Sequence, residues 1–344
     1  MENGFYLYTV PINVNGEFRS MITNFFEIVS NRIISFDISS TEISNISYPV
    51  LYSKSGSHKI VVDQSAVYDY LSSIDKKLTS YKSRNKHVIV KMVLNHGEVF
   101  QNMYRPTLTA YACNNAVKYK IVNNKPESYY YTDLPIERGR EYLFYLNQIN
   151  LIIDDLNKAA RIIYFCRDNY NVYGAFLRNI IILSCTEVDS MMRNILRKNG
   201  YKKDKYTTDD YYKLLSVMKL DEYTLKLTNY SDLQEFSPFV GWNKKNPSSS
   251  LVWYDAYNKI KHDWVHNLKK ASLENTIKSV VALVILLVAQ FGYRNEDWNK
   301  VSCGMFRVIN EPIWDLSDFY VPPISLKKNL KYRKHPKLCV SQKV

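Results

Sequence analysis

Glycine is scarce in this chain, ten in 344 residues, and none falls in a phosphate-cradling GxGxxG or GxxxxGK pattern, which argues against the common nucleotide-binding folds. Paired cysteines are missing too. Cys113, Cys166, Cys185, Cys303 and Cys339 are odd in number, far apart and without CxxC spacing, so neither a disulfide framework nor a zinc site is expected, and reduced thiols are. The apolar run from Val280 to Ala289 is about half the ~20 residues that cross a bilayer, and Lys278 lies just before it, so no membrane span is expected. The opening MENGFYLYTV has neither the basic start nor the apolar stretch of a secretory signal. Together these absences predict a cytoplasmic protein. From Leu326 onward no acid occurs at all.

That last absence gives the charge its distribution. The formal net charge is +13, and residues 300–344 hold nine Lys and Arg against three Asp and Glu. Lys327, Lys328, Lys331, Arg333, Lys334 and Lys337 therefore read as a mobile basic extension able to neutralise phosphates. A solvated tail that aids solubility is the plainer reading.

The length calls for more than one domain. Up to Asp133 the chain is built of short β-branched and aromatic runs (FYLYTVPINV, RIISFDIS, HVIVKMVL, TLTAYACN, VKYKIV) separated by Asn, Ser and Gly. One segment, residues 64–82, has helical spacing instead, with Val67, Leu71, Ile74 and Leu78 on one side. His58, His87 and His96 lack neighbours at ligand spacing and read as surface or strand histidines. Asp133, Leu134 and Pro135 mark a break. Helical period then runs from Ile136 to Arg167 through Leu143, Leu146, Ile149, Ile153, Leu156, Ala160 and Ile163. A second helix, Ala175 to Lys198, buries Leu177, Ile180, Leu183, Val188, Met191 and Ile195 and stops at Gly200. Glu187 falls on its buried stripe and needs a partner, with Lys261 and Arg161 as candidates. The expected class is α+β: a β-rich domain over 1–135, an all-α antiparallel bundle over 136–299 with an insert at 200–250, and a basic extension over 300–344. Within the insert, TTDDYYKLLSVM reads as a short helix and EYTLKLTNY as extended, while Phe239 and Trp242 suit a lid packed over the bundle.

The most informative stretch is WYDAYNKIKHDW. At 100° per residue, Trp253, Tyr257, Ile260 and Trp264 share a narrow apolar face, while Asp255, Asn258, His262 and His266 stack on the opposite one. A following helix starts at the cap candidate Ser272 and stops at Gly292. His262 and His266 at i, i+4 suggest a metal pair, but no third ligand beyond Asp255 and no HExxH glutamate accompany them, so neither metal nor cofactor is expected.

A glutamate-bearing helix (LSCTEVDSMMRNIL), a DDYY segment, then WxxYNxxKH and an Ala- and Leu-rich helix resemble the HEPN superfamily, in particular bacterial members with a W..YN..KH signature, over residues 136–292. The resemblance implies a metal-independent endoribonuclease of phage-defence, toxin or abortive-infection systems. It also implies RNA as a partner, a homodimer that composes its site from two subunits, and an antitoxin or defence protein as a further partner. Asn258 and His262 fall on the motif's polar and histidine positions, and Tyr257 stands where its arginine belongs. His262 suits a general acid or base. Asn258 would orient phosphate or imidazole, and Lys259 or Lys261 would supply the charge that the arginine would give. Glu187, Asp255 and His266 are supporting candidates. The alternative is a non-catalytic HEPN-like module that binds RNA or protein.

Overall fold

Strand-forming residues dominate the start of the chain, and there they pair. β1 (Gly4–Val14), β2 (Glu17–Val29), β3 (Arg32–Ile43), β4 (Ile46–Ser53) and β6 (Val88–Lys91) form an antiparallel sheet in the order β4-β3-β2-β1-β6, with β5 (His58–Lys59) added to β3. The computed structural model describes residues 1–14, 17–30, 32–43, 46–53, 58–59, 88–108, 121–122, 125–126, 131–132, 140–293, 298, 304–321, 323 and 330–339. The expected helix over 64–82, His87, the break at Asp133 to Pro135, Cys113, Cys303, Lys327 and Lys328 lie outside these residues, as does most of TLTAYACN and VKYKIV.

The chain divides into two compact units, one of Met1–Val99, Arg105–Ile136 and Ile313–Tyr332, the other of Phe100–Tyr104, Glu137–Pro312 and Arg333–Val344. In the first, register places Leu7, Phe25 and Phe36 on one face of the sheet and Tyr6, Phe26 and Ser35 on the other. All six are buried, so side chains that alternate along each strand are covered on both sides here. His96 stands edge-on to Phe5, ring centroids 5.8 Å apart.

The second unit holds α1 (Arg140–Ala160), α2 (Ala175–Lys198), α3 (Thr208–Met218), α4 (Val252–His262) and α5 (Leu273–Phe291). From Val280 to Ala289 α5 is apolar and buried all round, the state such a run requires. Ser272 caps it by accepting from the Asn275 amide, and Gly292 ends it at φ 74°. The fold is thus mixed α+β, as the alternating and helical periods predict. α2 packs against α5 closely enough for the Ser184 and Ser279 hydroxyls to meet at 2.7 Å.

Several details differ from the sequence expectation. The first helix runs from Arg140 to Ala160, with Tyr142, Tyr145 and Ile152 buried and Leu143 exposed; in α2, Ile181 and Cys185 are buried and Leu183 is exposed. The buried stripe in both is rotated from the one that Leu spacing suggests, because buried tyrosines and a cysteine share the inward face. Inside 200–250, α3 forms, and β7 (Thr224–Leu227) pairs antiparallel with β8 (Phe306–Asn310). Phe239 and Trp242 are buried; the Trp253 indole meets Phe239 edge-on at 5.9 Å and donates to the Pro238 carbonyl at 2.8 Å.

The basic extension is not a separate tail. Residues 313–332 belong to the first unit and 333–344 to the second. Asn199, wholly buried at the end of α2, holds the latter segment: its Oδ1 accepts from the His335 amide at 2.8 Å, while its Nδ2 donates to the Gln101 and Ile195 carbonyls, each at 2.9 Å. The His335 ring packs on Phe100 at 4.6 Å, and Leu338 is 1 % exposed. Two apolar anchors and a buried amide therefore fix residues that charge alone marks as mobile. Asn199→Ala should strand the Gln101 carbonyl and the His335 amide at ~1–3 kcal/mol each. The expected result is a lower melting temperature and faster tryptic cleavage at Arg333, Lys334 and Lys337, and unchanged cleavage would show that Asn199 does not hold this segment.

Candidate functional site

α4 earns its fixed orientation from one face. Trp253, Ala256, Tyr257 and Ile260 recur at three and four and are each at most 2 % exposed. The other face carries half-buried Asn258 and exposed Lys259 and His262. Asn258 and His262, four residues apart on one helix, are surface neighbours. The side chain of Lys259 reaches back to Asp255 at 2.6 Å, an i, i+4 ion pair. Asp255 is thereby engaged with the lysine and not with His262.

The expected row does not extend past His262. Asp263 leaves helical geometry at φ −150°, ψ 78°, and its carboxylate caps the next single turn, Trp264–Asn267, accepting from the His266 amide at 3.4 Å and pairing with His266 Nδ1 at 2.9 Å. Two of the expected placements are corrected by this break. Trp264 is 47 % exposed, with the Arg178 guanidinium 5.0 Å from its ring centre, instead of inward with Trp253. His266 lies on another turn and no longer follows His262 at helical spacing.

Glu187 is half-buried, and desolvation pushes its carboxyl above the usual range. Among the described residues no cation pairs with it. Lys261 turns elsewhere: its Nζ donates to the Tyr257 hydroxyl at 3.1 Å and sits 5.2 Å from that ring's centre. Tyr257 in turn points its hydroxyl toward Asp189 Oδ2 at 3.5 Å, and the Tyr254 hydroxyl donates to Asp189 Oδ1 at 2.5 Å. Asp189 is thus the acid that α2 offers to α4. Burial raises its carboxyl above the ordinary range, against the hydrogen bond from Tyr254 and the charges of Lys261 and Arg193, which oppose the shift. The bond that Lys261 donates to the Tyr257 hydroxyl holds its ammonium above its ordinary range. Arg193, one turn beyond Asp189 on α2, completes this group.

Asp189 and Arg193 lie on the helix of the quoted LSCTEVDSMMRNIL stretch, where Glu187 alone stands out as the acid in need of a partner. Their i, i+4 spacing, an acid followed by a base, was the available signal. Of the extension's basic residues, Lys331, Arg333, Lys334 and Lys337 present exposed side chains. The structure thus brings Asn258, Lys259 and His262 to one face of α4, directs Lys261 toward α2, and separates His266 and Glu187 from them.

No family model, curated protein or solved structure matches this chain.

Asp189 sets a pH dependence with a defined sign. A carboxyl raised in the folded state contributes stability that is complete below its unfolded value of 3.8 and is lost as pH rises through the folded value. Asp189→Asn keeps an acceptor for Tyr254 without the buried charge, so thermal melts across acid to neutral pH should show the mutant losing less stability than the wild type as pH rises. Asp189→Ala, by contrast, leaves the Tyr254 hydroxyl stranded and should cost about 1–3 kcal/mol. Parallel wild-type and Asp189→Asn profiles would remove Asp189 as the source of the dependence.

Proposed function

We propose that this chain is a HEPN-like, RNA-directed protein: a metal-independent endoribonuclease of bacterial phage defence or abortive infection, cytoplasmic and homodimeric. The observation that carries the reading is the open position of His262 at the end of a helix whose opposite face is locked in the core, with Asn258 beside it. Cleavage by the 2′-hydroxyl needs a group that takes or gives a proton near neutral pH, and a histidine on a rigid, accessible helix end meets that need. It also needs a fixed positive charge at the crowded phosphate. Tyr257 has none, but the neighbouring Lys261 is held protonated by the Tyr257 hydroxyl, and Arg193 lies in the same group. An isologous contact between two α4 faces would join two such sets into one cleft. An antitoxin or a defence partner would act by covering that face.

One observation favours a second reading, a non-catalytic module that binds RNA or a partner protein. The Tyr257 hydroxyl and the Lys259 ammonium are already engaged inside the protomer. Under this reading the cations of α4 hold phosphates without assisting cleavage.

Incubating purified protein with total RNA in EDTA, beside His262→Ala, separates the two. The nuclease reading expects cleavage that survives chelation and falls by ~10²–10⁴-fold in the variant, with stability changed by no more than ~0.5 kcal/mol because the side chain is exposed. RNA that stays intact with wild-type protein, yet is bound equally by both forms, supports the module instead.

A further inference from the structure

A cavity of about 210 Å³ opens between α2 and the start of α3, lined by Arg193, Arg197, Asp204, Lys205, Tyr206 and Tyr211. Its walls are built locally. Arg193 and Arg197 are four residues apart on α2 and project side by side. The loop that carries Asp204, Lys205 and Tyr206 is pinned by Asp210, 2 % exposed, which accepts from the Tyr201 hydroxyl, from Lys203 Nζ at 2.8 Å and from the Thr207 amide at 2.9 Å. Burial opposes the Asp210 charge, but these donors outweigh it and hold the carboxyl at about 2. The Tyr206 hydroxyl is spent on the Tyr201 carbonyl at 2.8 Å. Its ring is parallel to that of Tyr211 within 7°, centroids 6.5 Å apart, and Arg197 stands 5.6 Å from the Tyr206 ring centre.

The charge balance of this cavity is unequal. Lys203 is neutralised by Asp210, whereas among the described residues no carboxylate forms an ion pair with Arg193, Arg197 or Lys205. Arg193 also neighbours Asp189, so Arg197 and Lys205, with a share of Arg193, outweigh Asp204 around a small concavity with a fixed aromatic wall. A phosphomonoester carries close to two negative charges at neutral pH. Guanidinium forks match phosphoryl oxygens with paired donors, and tyrosine rings accept a sugar or base alongside. The volume suits a phosphoryl group with its attached sugar and lies below the ~300 Å³ at which pockets for larger ligands begin.

We propose that this cavity is a binding site for a terminal phosphate, that of a mononucleotide or of an RNA end. His262 does not line it, Arg193 alone is shared with the group around Tyr257 and Asp189, and the site stands whether or not RNA is cleaved. The internal backbone of RNA, with one charge per phosphate and no free end, fits it less well.

The test titrates the full chain with adenosine 5′-monophosphate and with three single-stranded RNA oligomers of one sequence, bearing a 5′-phosphate, a 3′-phosphate or hydroxyls at both ends. At least one phosphate-bearing oligomer, or the mononucleotide, should bind about tenfold or more tightly than the hydroxyl oligomer, the scale of one charge-assisted contact. Arg197→Gln and Lys205→Gln should each reduce that preference while leaving the melting temperature and the binding of the hydroxyl oligomer unchanged. Tight binding of the mononucleotide identifies a small-molecule site, and preference confined to an oligomer identifies an RNA end. His262→Ala should leave all of these affinities in place. Equal affinity for every ligand in the wild type, or a preference that both substitutions leave intact, would overturn the proposal.

Discussion

The second unit depends on hiding α5. From Val280 to Ala289 no side chain of this helix can face water without cost, and each buried Val, Leu or Ile is worth roughly 1.5–3 kcal/mol. A helix with no polar face cannot sit at a surface, so its neighbours must surround it. α1, α2 and α4 do so, each giving up an apolar stripe of its own. Between α2 and α5 small residues meet through Ser184 and Ser279, whose hydroxyls also have the Ile180 and Thr276 carbonyls of their own helices as acceptors, so they are satisfied in a dry environment.

Once the apolar stripes are fixed inward, polar groups on the same helices have few places left to go. Asp189 is carried by α2 to the edge of this core, where Tyr254 and Tyr257 of α4 meet it. That contact explains why Tyr257 is held inward, and why Lys261 bends toward α2 instead of joining Lys259 on the outer face. Burial and charge act against one another at Asp189, and burial prevails there, while at Asp210 the donors prevail. Asp189 is the more desolvated and receives only tyrosine hydroxyls, whereas Asp210 receives the Lys203 ammonium, the Tyr201 hydroxyl and the Thr207 amide.

The same constraint distributes positive charge. Lys203, Lys259 and Lys198 are each matched by an acid, Asp210, Asp255 and Glu141 respectively, whereas Arg193, Arg197, Lys205 and His262 are left facing solvent or a cavity. Exposed basic residues from Arg333 to Lys337 lie on a segment docked by Asn199, His335 and Leu338.

Local chemistry was legible in the sequence. Short β-branched and aromatic runs announced a β-rich first part, Ser272 and Gly292 bounded α5, and the three- and four-residue recurrence of Trp253, Tyr257 and Ile260 set the inward face of α4, because each of these is decided by residues a few positions apart. Three-dimensional packing decided the rest. Asp263 ended α4 one residue before Trp264 and so removed His266 from the row, an outcome of cap geometry that 100° projection does not contain. Asp189 meets two tyrosines from a helix more than sixty positions away, and the basic cavity is lined both by α2 and by a loop that the buried Asp210 carboxylate pins. The docked segment around His335 depends on an asparagine 136 residues earlier. A sequence fixes its periodicities and caps by itself, but which polar groups share a dry boundary follows only from the arrangement that buries the apolar ones.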